Sequence, residues 1–260
     1  MMEKTTSDFI HTMWDELADF DAARADEALT YLMTSLCRIV DAQNALWIGA
    51  VRMDANLLGD PAHGWRPRAT RFLKPSKLLD SNVKEQARKL EKGSLDETTI
   101  RNIALAGSFR VNRFVDLASE EWFESAHYQA YFRNVGREDG VWAGIPVNDD
   151  AETYFGFFRD GNHPRFTPEE RDLIGHALRG LKWFYRQYML SHGLAVAKSP
   201  ISPKEREVLG GLLSGLTEKQ IAISCNHSLN TTHTYISSIY RKFGVSSRGA
   251  LMSLWLGQSI

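Results

Sequence analysis

Residues 202–256 of this 260-residue chain carry helix starts and stops so closely spaced that little choice of fold remains. Ser202 precedes Pro203, and Glu205 follows three positions on. That is a capping box with proline at the first helical position, where its missing N–H costs nothing. Val208, Leu209, Leu212 and Leu216 follow at helical spacing. Gly215 can take the left-handed conformation that ends a helix, and Thr217 with Gln220 starts the next, a short one over about 218–225. Asn226-His227-Ser228 then forms a turn: Asn tolerates positive φ, and Ser228 caps a third helix that runs to about Phe243. A fourth is expected from Ser247 to about Leu256. Short helices at this helix-turn-helix spacing predict an all-α domain of four helices.

The third helix has two unlike faces. Thr232, Ile236, Ile239 and Phe243 recur at core spacing, whereas Asn230, Thr231, His233, Thr234, Ser237 and Arg241 point outward. Small polar side chains on a rod of this width suit the DNA major groove, whose base edges offer donors and acceptors. Arg241, Lys242 and Arg248 are candidates to neutralise phosphates. Local charge agrees: after Pro200 there are six basic side chains against three acidic, while the rest of the chain is mildly acidic.

Three blocks carry a resemblance to a known family. Ser202-Pro203-Lys204-Glu205-Arg206-Glu207-Val208-Leu209, then Gly215-Leu216-Thr217-Glu218-Lys219-Gln220-Ile221-Ala222, then Ile239-Tyr240-Arg241-Lys242-Phe243-Gly244-Val245, resemble the LuxR-type DNA-binding domain of bacterial transcription regulators. The resemblance implies that the helix over 229–243 enters the major groove and that the last helix joins two subunits on a two-fold-related site. It places His233 where the family usually has a base-contacting Lys. The family commonly has an apolar residue at His227 and at Thr232, and often Gly at Asn226. Histidine for lysine removes a full charge at neutral pH, which lowers non-specific affinity for DNA.

An apolar content of 43% over this length supports a sizeable core and two domains. Cys37 and Cys225 lie far apart without metal-ligand spacing, so neither a disulfide framework nor a zinc site is expected. No run of eighteen uncharged apolar residues occurs, so a soluble cytoplasmic protein without membrane contact is expected.

The N-terminal part reads as mixed α and β. Phe9, Ile10, Met13, Trp14, Leu17 and Phe20 form one helical stripe, and Leu29, Leu32, Met33, Leu36, Ile39 and Val40 a second. Residues 45–53, between Asp41 and Asp54, predict a buried strand; 65–73 predict a second, driven to an edge by Pro67. Helices over 83–91 and 95–105, a strand near 108–115 and one aromatic helix over 119–133 follow. Strands over 141–147 and 153–159 should form a hairpin around a solvated turn, 148–152. A long helix opens on Thr167-Pro168 with Glu170 closing its capping box. Its stripe from Leu173 to Tyr188 is wide enough to suggest a subunit interface. Small residues over 191–201 predict a linker, which gives a sensor and dimerisation domain over 1–190 and a DNA-binding domain over 202–260.

This order of elements, with Phe166-Thr167-Pro168-Glu169-Glu170-Arg171 before the last helix, resembles the GAF and PAS families of small-molecule sensor domains. The resemblance implies an antiparallel sheet flanked by helices. Trp122, Tyr128, Tyr131, Trp142 and Tyr154 are candidate walls of a cleft between the sheet and the aromatic helix, with Arg110, Arg133 and Asp139 as polar anchors. Ordinary aromatic core is the competing use of most of these rings. No HExxH pair, phosphate-binding glycine loop or other catalytic pattern stands out, and no cofactor is expected.

The sequence therefore predicts a dimeric transcription regulator that binds double-stranded DNA and answers to a small-molecule effector, with RNA polymerase as a further candidate partner. Two alternatives stand beside it. One is a receptor for acyl-homoserine lactones, which shares the C-terminal module and with which Trp122, Tyr128 and Asp139 invite comparison. The other is a ligand-independent protein-interaction module.

Overall fold

The computed structural model describes residues 4–53, 59–194 and 200–257. The chain divides into two compact units. One takes in Thr30–Lys182 with the chain up to Trp14, and the other Asp15–Leu29 with the chain from Trp183 onward.

Helices α1 (Lys4–Ala18) and α2 (Ala25–Ile39) carry the two expected stripes, with Ile10, Met13, Leu17, Leu29, Leu32, Met33 and Leu36 all buried. The sheet of the first unit then starts. Strands β1 (Asn44–Arg52), β2 (Trp65–Phe72), β3 (Arg110–Arg113), β4 (Asp139–Asn148) and β5 (Ala151–Arg159) run in the order β2-β1-β5-β4-β3, and every neighbouring pair is antiparallel. Pro67 has no N–H to donate, so β2 sits at the edge, and its register against β1 slips between Gly49 and Ala50, beside Pro67. Asp54, the expected bound of the first strand, and 195–199 of the expected linker lie outside the described residues.

Strand alternation assigns the faces. The register Leu46↔Gly156, Ile48↔Tyr154 and Trp142↔Gly156 puts even-numbered residues of β1, β4 and β5 on one side. That side is covered by α3 (Lys77–Glu91), α4 (Glu97–Ile103), α5 (Phe114–Leu117), α6 (Glu120–Glu124) and α7 (Ala126–Tyr131). Its core is an aromatic cluster around Phe114, with Phe132 and Trp122 edge-on at 5.2 and 5.6 Å. Trp47, Phe155 and Phe157 point to the opposite side, and Trp47 donates its indole N–H to the Thr153 hydroxyl. There α8 (Pro168–Arg179) packs against β3 and β4, and Trp14 of α1 donates to the Ala177 carbonyl at 2.8 Å.

Three expectations are corrected by this arrangement. The single aromatic helix over 119–133 is two short helices, because Ser125 takes an extended conformation and its hydroxyl caps α7 by accepting from Tyr128 N–H. The long helix from Thr167 is also two: α8 ends at Gly180, and α9 (Lys182–Ser191) begins after Leu181, whose N–H has tightened onto the Leu178 carbonyl. Its stripe is no open subunit interface, since Ile174, Leu178, Leu181, Phe184, Tyr185 and Tyr188 are buried within the chain. Glu152 is the third. Strand β5 starts earlier than expected, and Glu152 lies fully buried in it instead of in a solvated turn.

The second unit holds α10 (Pro203–Leu213), α11 (Glu218–Ser224), α12 (Leu229–Phe243) and α13 (Arg248–Trp255). Their core gathers Val208, Leu209, Leu212, Ile221, Ile236, Ile239, Phe243, Leu251 and Leu254, and it also takes in Leu190 of α9. Asp26 accepts from Arg206 at 2.9 Å and from the Tyr188 hydroxyl at 2.9 Å, so the first turn of α2 is bonded to this unit as well. By contacts the C-terminal unit is thus larger than a division at residues 191–201 would make it.

Candidate nucleic-acid interface and ligand cavity

Helix α12 owes its position to caps on either side. The Ser202, Thr217 and Ser228 hydroxyls accept from the N–H three residues on, and Asn226 turns the chain at φ 53 between α11 and α12. One face packs inward through Ile236, Ile239, Phe243 and Thr232. Polar Thr232 is fully buried at no cost in unpaired groups, because its hydroxyl donates to the Ser228 carbonyl at 3.1 Å. Asn230, Thr231, His233, Thr234, Ser237 and Arg241 are exposed together on the other side. Along fifteen residues the helix is about 22 Å long, enough to lie across a major groove.

The cations divide into two groups. Lys242 is held by Glu205 at 2.7 Å and by the Pro200 carbonyl at 3.1 Å, and Arg248 donates to the carbonyls of Leu216, Leu212 and Gly211. Both therefore tie the domain together, and neither offers its charge freely to a phosphate as the sequence suggested. Lys204 pairs with Glu207 and Arg206 with Asp26. Lys219 and Arg241 are exposed, and no carboxylate partner is found for them among the described residues. His233 lies 3.3 Å from Glu218 on an exposed surface, a contact worth little to stability. Burial alone would raise the Glu205 carboxyl, but the Lys242 ammonium, the Ser202 N–H and the Ser238 hydroxyl outweigh it and hold the group down to about 2.

Two residues on this surface were missed in the sequence. Leu229, the first residue of α12, is 54% exposed, and an apolar side chain there can meet a thymine methyl. Lys219 lies in the first turn of α11. An apolar residue just after an N-cap, against the outward polarity of the rest, was the available signal for Leu229.

In the first unit a cavity of about 180 Å³ lies between the even face of the sheet and helices α3 and α4, where roughly 10–15 Å³ holds one water. Leu46, Ile48, Ala50, Trp65, Val83, Leu90, Leu95 and Ile103 give it an apolar wall. Arg66, Asp96, Asn102, Arg137 and Tyr154 supply polar groups. Asp96 is the N-cap of α4 and spends its oxygens on the N–H groups and hydroxyls of Thr98 and Thr99. Arg66 is neutralised by Asp60 and Glu91, each at 3.1 Å.

Of the eight residues expected to hold a ligand, Trp142 and Tyr154 line this cavity. Trp122, Tyr128 and Tyr131 belong to the aromatic core beside it. Arg110 forms a buried pair with Glu152 at 2.9 Å and also bonds Asn102 and the Tyr154 hydroxyl. Arg133 is exposed, 3.8 Å from Glu138, and Asp139 accepts from Phe166 N–H at 2.6 Å. The cleft faces α3 and α4, so the aromatic helices are mostly its flank. Two glycines make room at this face. A Cβ on Gly144 would meet the Arg110 guanidinium at 2.6 Å, and one on Gly156 would meet the Trp142 ring at 2.9 Å.

No group of His, Cys, Asp and Glu fit to hold a metal ion occurs among the described residues, and no described helix is long and apolar enough to cross a membrane. Cys37 and Cys225 are free thiols.

Comparison with known proteins places the C-terminal domain. Residues 199–255 match the family described as "Bacterial regulatory proteins, luxR family", so this segment is a luxR-family helix-turn-helix domain. A curated relative, the "Probable HTH-type transcriptional regulator GfsR" of Streptomyces halstedii, is 42% identical over 57 residues. That match spans 22% of this chain and about a quarter, 24%, of the relative. Among solved structures, "SdiA in complex with octanoyl-rac-glycerol" aligns over 98% of this chain and 96% of its own at a TM-score of 0.52 and 14% identity, a likeness of fold. CepR2 of Burkholderia cenocepacia, described as an N-acylhomoserine lactone dependent LuxR family transcription factor, covers 72% of this chain and 96% of its own, at 13% identity and a TM-score of 0.49.

Proposed function

We propose that this chain is a sequence-specific DNA-binding transcription regulator whose N-terminal unit senses a small molecule. The observation that supports it most is the face of α12. Asn230, Thr231, His233, Thr234 and Ser237 are exposed together beside Arg241 on one face of this helix. Such side chains read base edges, while Arg241 and Lys219 are the cations placed to meet phosphates. With few free cations, binding depends on base contacts more than on counterion release.

The effector would occupy the cavity under α3 and α4, in a unit that acts as a sensor in the manner of GAF and PAS domains. The octanoyl-rac-glycerol bound to SdiA has an acyl chain, and the apolar wall here suits an acyl or aryl body. An acyl-homoserine lactone is the second reading, for which the Trp142 and Tyr154 rings would form part of the cavity wall. We further propose a cytoplasmic homodimer, since one subunit reads only a few base pairs and paired half-sites give specificity. Contact with RNA polymerase at the promoter belongs to the same reading. We assign the chain no catalytic reaction and no cofactor.

Footprinting on genomic fragments tests the DNA half: wild type should protect discrete sites and His233→Ala should protect them weakly or elsewhere. Unchanged protection removes His233 from the reading face. Native mass spectrometry of protein purified from its own host tests the sensor half, where a retained small molecule is expected.

A further inference from the structure

Four arginines are buried among the described residues: Arg66, Arg110, Arg137 and Arg159. Three have carboxylates, with Arg66 on Asp60 and Glu91, Arg110 on Glu152 and Arg159 on Glu170. Arg137 has none among the described residues. It is 2% exposed and lines the cavity. Of its five N–H donors one reaches the Tyr131 carbonyl; Nε is buried without an acceptor, and Nη1 makes no hydrogen bond to the described residues. The rings of Phe132 and Phe158, each 5.1 Å from the guanidinium carbon, hold it in place and supply no hydrogen-bond acceptor in their planes. Burial pulls its pKa down to about 10, so it remains charged at neutral pH.

An unpaired buried charge is costly, and buried cations in proteins are ordinarily paired. The other three arginines follow that rule. The fourth lies in the wall of an apolar chamber that can take a ligand. We infer that the effector is an anion, a carboxylate-headed molecule with an acyl or aryl body, whose head group completes Arg137. This rests on the cavity being the effector site. It narrows that site's ligand from apolar molecules in general to apolar acids, and it demotes neutral esters and lactones.

The test compares matched acids and primary amides on the full chain by titration calorimetry near pH 7.5: octanoate with octanamide, and 3-phenylpropanoate with 3-phenylpropanamide. A charge-assisted pair in a buried site predicts that each acid binds roughly tenfold or more tightly than its amide. Arg137→Met should erase that preference and Arg137→Lys should keep part of it. Without ligand, Arg137→Met should leave the Tm unchanged or raise it, because it removes a buried unpaired charge. A purely structural arginine would show the reverse, a lowered Tm with no acid preference to lose. Acid and amide binding equally to wild type, or an acid preference that survives Arg137→Met, overturns the inference and leaves the cavity standing as an effector site with water at Arg137. If neither series binds the wild type, both the anion and the effector-cavity reading fall.

Discussion

Glu205 closes the capping box that starts α10 and, from the same carboxylate, anchors Lys242 and Ser238 of α12. Its folded value of about 2 lies below its ordinary 4.5, so the stability it brings is complete above about pH 4.5 and drains away as pH falls toward 2. The linked amount is about 3 kcal/mol at most. Urea unfolding followed by helicity should therefore show wild type weakening between pH 5 and pH 3, and Glu205→Gln weaker at pH 7 with a flatter dependence on acid. In the other unit, Arg110 and Glu152 are nearly fully buried, and Glu152→Ala leaves a guanidinium unpaired. A loss of about 3–5 kcal/mol is expected from denaturant titration. Gly144→Ala should lower stability by the same route, since the new methyl displaces the Arg110 guanidinium.

Helix α12 is set by a turn that Asn226 makes in the left-handed region, and Asn226→Ala should cost roughly 1–2 kcal/mol in thermal unfolding, whereas Asn226→Gly should not. The elements of this domain were legible in the sequence because every one of their signals is local: Ser202 with Glu205, Thr217 with Gln220, Ser228 with Thr231. The hairpin and the edge position of β2 were legible for the same reason, through alternation and Pro67. What could not be read depends on partners far apart in the chain. Arg110 and Glu152 are 42 residues apart, and nothing in either neighbourhood announces the other. The cavity forms where α3 and α4 lie over β1 and β5, so its location is a matter of packing, and of the expected ligand residues Trp142 and Tyr154 reach it. Lys242 and Arg248 looked like phosphate contacts because a basic residue at a helix end reads alike whether it meets solvent, a carboxylate or carbonyls. Space at Gly156 is shared by the Phe158 and Trp142 rings, which a Cβ there would meet at 2.6 and 2.9 Å, so Gly156→Ala should push both rings and weaken binding of whichever probe fits the wild type.

At the scale of the whole chain, the C-terminal unit reaches back to Asp15–Leu29 and to Trp183, and Asp26 with Arg206 and Tyr188 is the polar fastening inside it. Asp26→Ala should lower its stability by about 1 kcal/mol, seen as earlier loss of helicity on heating, since the pair is partly solvated. The proposed regulation turns on α12 reading bases. Selection of duplexes from a random pool by the full chain measures this directly. The prediction is enrichment of one motif with two-fold-related half-sites, lost when Asn230, His233, Thr234 and Ser237 are all changed to alanine while the circular dichroism spectrum is kept. No enriched motif, or the same motif selected by the alanine variant, would contradict it.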